Sequence, residues 1–342
     1  MPAPQDFTTF ELGDFTLQGG ATLRGATLAY KTYGALNGDG TNAILVPTWY
    51  SSWHDQNAWM IGPDKALDPA TYFIVSVNML GNGLSTSPSN TPTPYGRGRF
   101  PSITFYDQVR AQHALLTQGL GVTSLELVTG SSMGAAQTYQ WAVSHPELVR
   151  RAAPIVGASV TSEHNQVFLK SLTAALRADP VFADGWYAPD HLPSAGLRAF
   201  ARIYAGWGLS QAFYWRREYR SMGYSSLEDF LVGFWEGYWL DDRDPNDLLT
   251  MLSTWQHGDV GLTPGFDGDT EAALRSIQCP VLAMPCRTDL YFPPEDEQWA
   301  SAFIADGEVR TIDSIYGHFA GLGFYGPNNS FIDQNLKSLL SR

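Results

Sequence analysis

The sequence predicts an α/β fold, a doubly wound and mostly parallel sheet with an inserted helical lid. Short apolar runs typical of buried strands, for example residues 43–46 and 72–77, alternate with stretches of helical spacing. Strand signals disappear over residues 159–263, where helical spacing and aromatic residues dominate. We therefore expect an α/β core formed by residues 1–158 and 264–342, interrupted by a helical lid at residues 159–263.

The order of the elements follows from local patterns. Residues 7–36 alternate apolar and polar side chains between glycines, which predicts two or three antiparallel strands. The later elements are predicted as strands at 43–46, 72–77, 125–128, 152–156, 280–284 and 308–312, and as helices at 104–119, 135–145, 296–305 and 331–340.

Residues 125–140 combine a buried strand, a turn with the pattern G-x-S-x-G and a helix. A serine at the centre of that pattern lies on a strained turn that exposes its hydroxyl above the sheet. Spacing selects Ser132 rather than Ser131, because Ser132 lies midway between Gly130 and Gly134. The helix N-terminus behind it offers N–H groups and a positive dipole end to a developing oxyanion. Ser132 is therefore the candidate nucleophile; the alternative is a glycine-rich turn whose serine has no catalytic role.

A serine nucleophile needs a base, and the base needs a carboxylate to orient it. On sheets of this kind the three residues follow one another in the order serine, acid, histidine. His318 is the only one of the seven histidines that follows the last predicted strand, and Asp289 follows the strand at 280–284. These two residues are the candidate base and acid. The alternatives are a structural histidine and a surface aspartate, and Asp296 and Asp313 are weaker candidates for the acid.

Two backbone N–H groups should complete an oxyanion hole. One belongs to Met133, the residue after the candidate nucleophile. The other is expected from the loop after the strand at 43–46, because open α/β sheets place their sites at the carboxyl ends of their strands. Tyr50 is the candidate in that loop, and its neighbours Trp49 and His54 are candidates to line the substrate site.

Composition argues against one class of partner and indicates the nature of the site. The 342-residue chain has 34 acidic and 21 basic residues and a net charge of −13, so it offers no basic stripe for nucleic acid. Aromatic residues make up 13% and include 11 tryptophans, which indicates an aromatic-lined cavity or interface. The acidic stretch 241–247 lacks the glycine and terminal glutamate of a calcium loop, so we expect a solvated turn and no metal site.

Targeting signals and cysteine usage bear on the compartment. The N-terminal residues show no basic segment followed by an apolar stretch, and no apolar run approaches the roughly 20 residues of a membrane span. Cys279 and Cys286 flank the strand predicted at 280–284, which would hold them about 23 Å apart, too far for a disulfide. Because reduced cysteines are typical of the cytoplasm, we expect a cytoplasmic protein with no membrane partner.

Several further stretches carry a family pattern: residues 60–68, 78–81, 103–112, 289–294 and 317–318. Together with the Ser132 turn, they resemble the homoserine O-acetyltransferase family of α/β-hydrolase-fold enzymes over nearly the whole chain. The resemblance implies an α/β-hydrolase fold and a triad of Ser132, His318 and Asp289. It also implies an oxyanion hole near Tyr50 and Met133, a helical lid and often a homodimer. We expect no cofactor.

Two departures from that family concern the substrate. Members that act on homoserine usually place an aspartate after the catalytic histidine, where it meets the substrate's amine; here that residue is Phe319. They usually carry an arginine for the substrate's carboxylate shortly before an Asp-Pro pair of the lid, and Thr173 stands at the matching offset before Asp179-Pro180. Without these two charged residues, the chain more closely resembles the family's esterases for small acetate esters.

We therefore expect a serine carboxylester hydrolase for short-chain, acetate-type esters, with Phe319 and the lid aromatics forming a small apolar pocket. The alternative is an O-acetyltransferase with acetyl-CoA as co-substrate and homoserine or another small alcohol as acceptor. Under that alternative, Arg216, Arg217 and Arg220 are candidates to bind phosphates. A third hypothesis, a non-catalytic binding protein on a hydrolase scaffold, is disfavoured because all three triad candidates are present in order.

Overall fold

An eight-stranded sheet forms the centre of the molecule in the computed structural model, which describes residues 3–342. Met1 and Pro2, the first residues of the predicted core, lie outside the described residues. The strands are β1 (Thr8–Thr16), β2 (Thr22–Tyr33), β3 (Ala43–Pro47), β4 (Phe73–Val77), β5 (Leu125–Ser131), β6 (Ala152–Ile155), β7 (Val281–Ala283) and β8 (Gly307–Val309).

The strands lie side by side in the order β1-β2-β4-β3-β5-β6-β7-β8. Strand β2 pairs antiparallel with β1 and with β4, whereas all the other neighbours pair in parallel. The predicted doubly wound, mostly parallel sheet is therefore confirmed, and residues 7–36 form two antiparallel strands. Because parallel strands run in one direction, the loops that follow β3, β5 and β7 meet at one edge of the sheet.

Helices cover both faces of the sheet and fill the insertion between β6 and β7. Short 3-10 helices span His54–Met60, Arg97–Arg99, Pro180–Gly185, Glu218–Arg220, Val260–Leu262 and Gly317–Gly321, and π-helical turns span Leu115–Gly119 and Leu231–Glu236. The α-helices are α1 (Phe105–Ala114), α2 (Met133–Ser144), α3 (Glu163–Arg177), α4 (Ser194–Gly208), α5 (Gln211–Arg216), α6 (Leu227–Phe230), α7 (Gly237–Leu240), α8 (Pro245–Gln256), α9 (Thr270–Arg275), α10 (Pro294–Ser301) and α11 (Gly326–Leu340).

Successive side chains of the parallel strands separate into two apolar layers. Leu45 and Val128 belong to the layer that packs against α1, α2, α9 and α10. Their neighbours Ile44 and Leu127 belong to the opposite layer, which packs against α11. Because the side chains of a strand alternate between its two faces, a sheet covered on both sides needs strands that are apolar throughout. This requirement explains the continuous apolar runs in the sequence.

Two helices begin earlier than their apolar spacing predicts. The helix predicted at 296–305 begins at Pro294, and the helix predicted at 331–340 begins at Gly326, with Pro327 in its first turn. Proline is favourable in the first turn because its φ is already helical and the N–H that it lacks would have no partner there. The apolar residues used for the prediction start only after these first turns.

The inserted segment begins and ends at one point of the core. Val160 pairs antiparallel with Asp259, and the N–H of Thr161 donates to the carbonyl of Gly258 at 2.8 Å. Helices α3 to α8 lie between these two crossings. Their buried side chains form a largely aromatic core that rests on the sheet domain and includes Phe168, Phe200, Tyr204, Phe213, Phe230, Trp235, Trp239 and Trp255.

The acidic stretch 241–247 is not the solvated turn that the sequence predicts. Asp244 caps α8 by accepting the N–H of Asn246 at 2.9 Å, and the hydroxyl of Tyr187 donates to it at 2.6 Å. Asp247 is only 4% exposed and accepts the backbone N–H and hydroxyl of Ser89 at 2.9 and 2.6 Å. Burial, together with the nearby Asp244, raises the pKa of Asp247 well above its usual value. The prediction was wrong because these partners lie far away in the sequence.

A buried carboxyl behind the sheet should make the stability depend on pH. Burial raises the pKa of Glu297 to about 8, and the side chain pairs with the hydroxyl of Tyr139. Since the folded state retains this proton above the ordinary pKa of 4.5, the free energy of unfolding should fall as the pH rises from about 5 to 8. Glu297→Gln has no proton to lose, so its free energy of unfolding should fall less than that of the native chain over this range. Urea unfolding should show a difference between the two decreases of about 1 kcal/mol or more. Equal losses in both chains would contradict this assignment.

Both cysteines are buried and unpaired, as the spacing around β7 predicts. Burial raises the pKa of each thiol, Cys279 and Cys286, to about 11. Neither is therefore a reactive thiolate near neutral pH.

None of the helices within residues 3–342 combines the length and the apolar character needed to cross a membrane.

Candidate active site

Ser132 lies at the turn between β5 and α2, in a backbone conformation that residues other than glycine rarely adopt. Its φ and ψ are 57° and −121°, and its N–H donates to the carbonyl of Ile155 at 2.9 Å. A Cβ on Gly130 would lie 2.8 Å from the backbone of Gly134, and a Cβ on Gly134 would lie 2.8 Å from the carbonyl oxygen of Pro47. The two glycines are therefore required for strand and helix to approach this closely. Backbone strain of this kind costs about 1–3 kcal/mol and is concentrated at functional sites.

The two adjacent serines of this turn have different partners. The hydroxyl of Ser131 donates to the carbonyl of Gly321 at 2.6 Å. Ser131 therefore binds the turn at residues 130–134, called the elbow below, to the segment that carries His318. Ser132 is 1% exposed and lines a cavity beneath the lid. Of the two serines of the turn, only Ser132 therefore lines this cavity, in agreement with its central place in the sequence pattern.

Asp289 and His318 form a buried pair next to the elbow. His318 Nδ1 lies 2.8 Å from Asp289 Oδ2, and His318 is only 2% exposed. The other carboxylate oxygen of Asp289 accepts the N–H groups of Tyr291 and Phe292, each at 3.1 Å. With Nδ1 donating to the carboxylate, the Nε2 atom of His318 is left as the proton acceptor. His318 lines the same cavity as Ser132, so the arrangement brings the three sequence candidates together.

Tyr50 lines the cavity, and Met133 directly follows Ser132 at the start of α2. Within residues 3–342 we find no protein acceptor for the backbone N–H of either residue. Gln137 of α2 donates to the carbonyl of Thr48 at 3.0 Å, which holds the loop after β3 against the helix that begins at Met133. Met133 and Tyr50 belong to one buried cluster. Two N–H groups available on adjoining backbones are what an oxyanion hole requires.

The cavity has a volume of about 190 Å³ and is mostly aromatic. The side chains around it supply no Asp, Glu, Lys or Arg among the described residues. It is lined by Trp49, Tyr50, Ser51, Gln56, Ser132, Tyr204, Phe234, Trp235, Tyr238, Trp239, Tyr291, His318, Phe319, Leu322 and Phe324.

His54 does not line this cavity, contrary to the sequence prediction. It is fully buried beneath the loop, where its Nδ1 lies 3.1 Å from the amide nitrogen of Asn78 and its Nε2 lies 3.4 Å from Asp6. Burial lowers its pKa. The prediction was wrong because residues far away in the sequence hold the His54 ring. Asn78 directly follows β4 and Asp6 belongs to the N-terminal segment, so adjacency to Tyr50 in the sequence does not indicate these partners.

The residues at the two family-specific positions lie in different places. Phe319 lines the cavity and packs against Trp235, with ring centres 5.3 Å apart. Thr173 lies on α3, where its hydroxyl donates to the carbonyl of Leu169 at 3.0 Å, and it does not border the cavity. Neither position therefore supplies a charge to the site.

The sequence prediction of an aromatic lid wall was correct for only part of the lid. Phe234, Trp235 and Trp239 line the cavity, whereas Trp215 is 86% exposed. Ser51, Gln56 and Tyr238 are polar lining residues that the sequence did not single out. For Ser51 and Gln56 the available signal was their place in the loop after β3; for Tyr238 nothing local distinguished it from the other lid aromatics.

Comparison with known proteins places this chain in a family. Residues 44–322 match the model of the alpha/beta hydrolase fold family. The chain belongs to this family. It is 40% identical over 339 residues to an ethyl acetate hydrolase of Pseudomonas veronii, covering 98% of this chain and 95% of that protein. It is 34% identical over 326 residues to a homoserine O-acetyltransferase of Trichormus variabilis, covering 90% of this chain and 87% of that protein.

A solved structure gives the same relationship in three dimensions. The crystal structure of an acetylester hydrolase from Corynebacterium glutamicum superimposes with a TM-score of 0.95 at 39% identity, covering 98% of this chain and 96% of that chain. The resemblance to homoserine O-acetyltransferases and to their esterase relatives, predicted from the sequence, is confirmed by these comparisons. The α/β-hydrolase fold is confirmed with it.

Proposed function

We propose that this α/β-hydrolase is a carboxylester hydrolase for short-chain, acetate-type esters. The observation that carries the proposal is the aromatic cavity of about 190 Å³ that Ser132 and His318 line, with His318 hydrogen-bonded to Asp289, and whose lining among the described residues contains no Asp, Glu, Lys or Arg. Apolar walls with a few polar groups suit a small neutral ester. The names of the esterase relatives support the same substrate class.

The reaction proceeds through an acyl-enzyme. Ser132 Oγ attacks the ester carbonyl while His318 Nε2 takes its proton, and the carbonyl oxygen becomes an oxyanion held by the N–H groups of Met133 and Tyr50. The bond to the alcohol oxygen then breaks, and His318 returns the proton to that oxygen. Water then attacks the acyl group while His318 takes its proton; the bond between Ser132 Oγ and the acyl carbon breaks, His318 returns the proton to Oγ, and the carboxylic acid leaves. Asp289 holds the imidazole in the required tautomer throughout.

The uncharged cavity wall favours hydrolysis over transfer to homoserine. Both reactions share the acyl-enzyme and differ in the second nucleophile, so a transferase must bind its acceptor well enough to outcompete water. Homoserine is a zwitterion and needs one cation and one anion in the site. Phe319 lines the cavity where the family's aspartate would stand, and Thr173 lies outside it. A missing partner for a buried charge costs about 2–5 kcal/mol of binding, which leaves such an acceptor mostly unbound.

The deciding experiment compares the two possible second nucleophiles. We expect purified protein to release acetate from ethyl acetate alone, and to form no O-acetylhomoserine from acetyl-CoA and homoserine. Ser132→Ala serves as the control for both assays, because it removes the acyl-enzyme on which either reaction depends. Efficient acetyl transfer from CoA with negligible ester hydrolysis would assign the chain to the O-acetyltransferases instead.

Acyl-chain length should discriminate strongly among substrates. With p-nitrophenol as the common leaving group, kcat/KM for the acetate should exceed that for the decanoate by about 100-fold or more, because a packed aromatic wall leaves no space for further methylenes. A series of acetate, butyrate, hexanoate and decanoate, each below its micelle concentration, measures this. A decanoate that matches the acetate would show that the acyl group does not enter the cavity described here.

A further inference from the structure

The lid contacts the loop after β3 at Tyr50 and Ser51. The ring of Tyr50 stacks on Tyr204 of α4, with ring centres 6.2 Å apart and planes 7° apart, and its hydroxyl donates to the carbonyl of Leu248 in α8 at 3.3 Å. One residue further along, the hydroxyls of Ser51 and Tyr238 lie 3.0 Å apart. The lid therefore holds Tyr50, the residue that offers the second oxyanion N–H.

Ser51 adopts a strained backbone conformation. Its φ is 61°, in the region that favours glycine. Such a conformation persists only when surrounding contacts hold it. Tyr238 provides those contacts twice, since its hydroxyl also donates to the carbonyl oxygen of Ser51 at 3.3 Å. Loss of the Tyr238 hydroxyl would therefore release Ser51, and with it the adjoining peptide of Tyr50.

The ring of Tyr238 is itself fixed by an arginine. The guanidinium carbon of Arg243 lies 4.0 Å from the centre of the Tyr238 ring and 4.4 Å from that of Trp53. Arg243 is 6% exposed, and its Nη1 donates to the carbonyl of Asp241 at 2.9 Å. Cation–π contacts strengthen when they are shielded from water. The guanidinium thus joins a lid tyrosine to a tryptophan of the same loop.

We propose that Tyr238 is a positioning residue for the oxyanion hole: through its hydrogen bonds to Ser51, it holds the loop so that the N–H of Tyr50 faces the reacting carbonyl. This role rests on the proposed function of the site. It differs from substrate binding, although Ser51 and Tyr238 border the cavity, because its effect belongs to the transition state and not to the bound ester.

The test removes one hydroxyl and separates turnover from binding. Tyr238→Phe should lower kcat for p-nitrophenyl acetate by about 10-fold and leave KM within about twofold, since the loss lies between that of one ordinary hydrogen bond and that of a whole oxyanion donor. Ser51→Ala removes only the bond between the two hydroxyls and leaves the Tyr238 hydroxyl on the Ser51 carbonyl, so it should give a smaller loss. Because Tyr238→Phe already breaks the bond that Ser51→Ala removes, the double variant should be no slower than Tyr238→Phe alone.

A trifluoromethyl ketone supplies a readout that does not need turnover. Its adduct with Ser132 carries an oxyanion, so its dissociation constant, followed by fluorine NMR, should rise in Tyr238→Phe by the same factor by which kcat/KM falls. Tyr214→Phe is the matched control, because it removes another lid hydroxyl, which donates to the carbonyl of Ala205 at 2.6 Å and does not border the cavity. This control should keep the native kcat and ketone affinity.

Three results would overturn the proposal: a native kcat and ketone affinity in Tyr238→Phe, losses that multiply in the double variant, or an effect confined to KM that varies with the alcohol of the ester. The last result would mean that Tyr238 contacts the substrate directly. If the native chain hydrolysed no acetate ester at all, the proposed function would fail. The ketone measurement would still decide whether Tyr238 positions the oxyanion hole.

Discussion

Ser132→Ala is expected to lower kcat for p-nitrophenyl acetate by about 10⁴-fold or more while the fold persists. Loss of the nucleophile from a serine–histidine–aspartate triad costs up to about 10⁶ in turnover. Alanine at φ 57° meets the same backbone strain as serine, so thermal unfolding should change little. Steady-state kinetics, together with covalent labelling by a serine-directed phosphonate, measures the effect.

The neighbouring serine provides a matched control. Ser131→Ala loses a buried hydrogen bond to Gly321 and should retain phosphonate labelling, with kcat reduced by about 10-fold at most. Near-normal turnover in Ser132→Ala, or labelling that is lost in Ser131→Ala instead, would reassign the nucleophile.

Asp289→Asn should lower kcat by about 10⁴-fold. The Oδ1 atom that accepts the N–H groups of Tyr291 and Phe292 can remain an oxygen, which places the new NH₂ group opposite His318 Nδ1. Nδ1 must then accept, so the proton moves to Nε2 and the imidazole can no longer take the proton of Ser132. The pH profile of kcat, compared with that of the native chain, reports this tautomer change.

The two weaker candidates for the acid serve as controls for Asp289. Asp296 lies on α10 and Asp313 is an exposed partner of Arg287, at 2.7 Å. Neither carboxylate contacts His318 in the arrangement described here, and Asp296→Asn and Asp313→Asn should each keep kcat within about threefold of the native value. If Asp289→Asn kept a tenth or more of the native turnover, the His318 ring would have to be oriented by another group.

The arrangement of the core was predictable because its determinants are local. Alternating apolar runs and helical stretches define the doubly wound sheet, and the strand, G-x-S-x-G turn and helix around Ser132 are contiguous in the chain. Asp289 and His318 could be nominated because each follows a strand whose carboxyl end must reach the same edge of the sheet. Order along the chain therefore carries three-dimensional information for these residues.

The misassigned residues are those whose environment is set by distant partners. His54 is close to Tyr50 in sequence, yet it is buried against Asn78 and Asp6. The acidic stretch 241–247 has the composition of a surface turn, but Asp247 is bound by Ser89. Tyr238 is one aromatic among many in the lid, and only the folded chain brings its hydroxyl to Ser51. Such contacts leave no local signal in composition or spacing.

The chain enters and leaves the lid at Val160 and Asp259, which pair with each other, and this point divides it into two parts with different functions. Ser132, Asp289 and His318 all lie outside the crossing, whereas Tyr204, Phe234, Trp235, Tyr238 and Trp239 of the cavity wall lie inside it. Replacing the insertion would thus redesign substrate choice without altering the reacting groups. An exchange limited to the insertion would not be enough, because residues 50–53 of the core contact Tyr238, Leu248 and Arg243 of the insertion. A chimaera that keeps its chemistry has to transplant this short loop together with the lid.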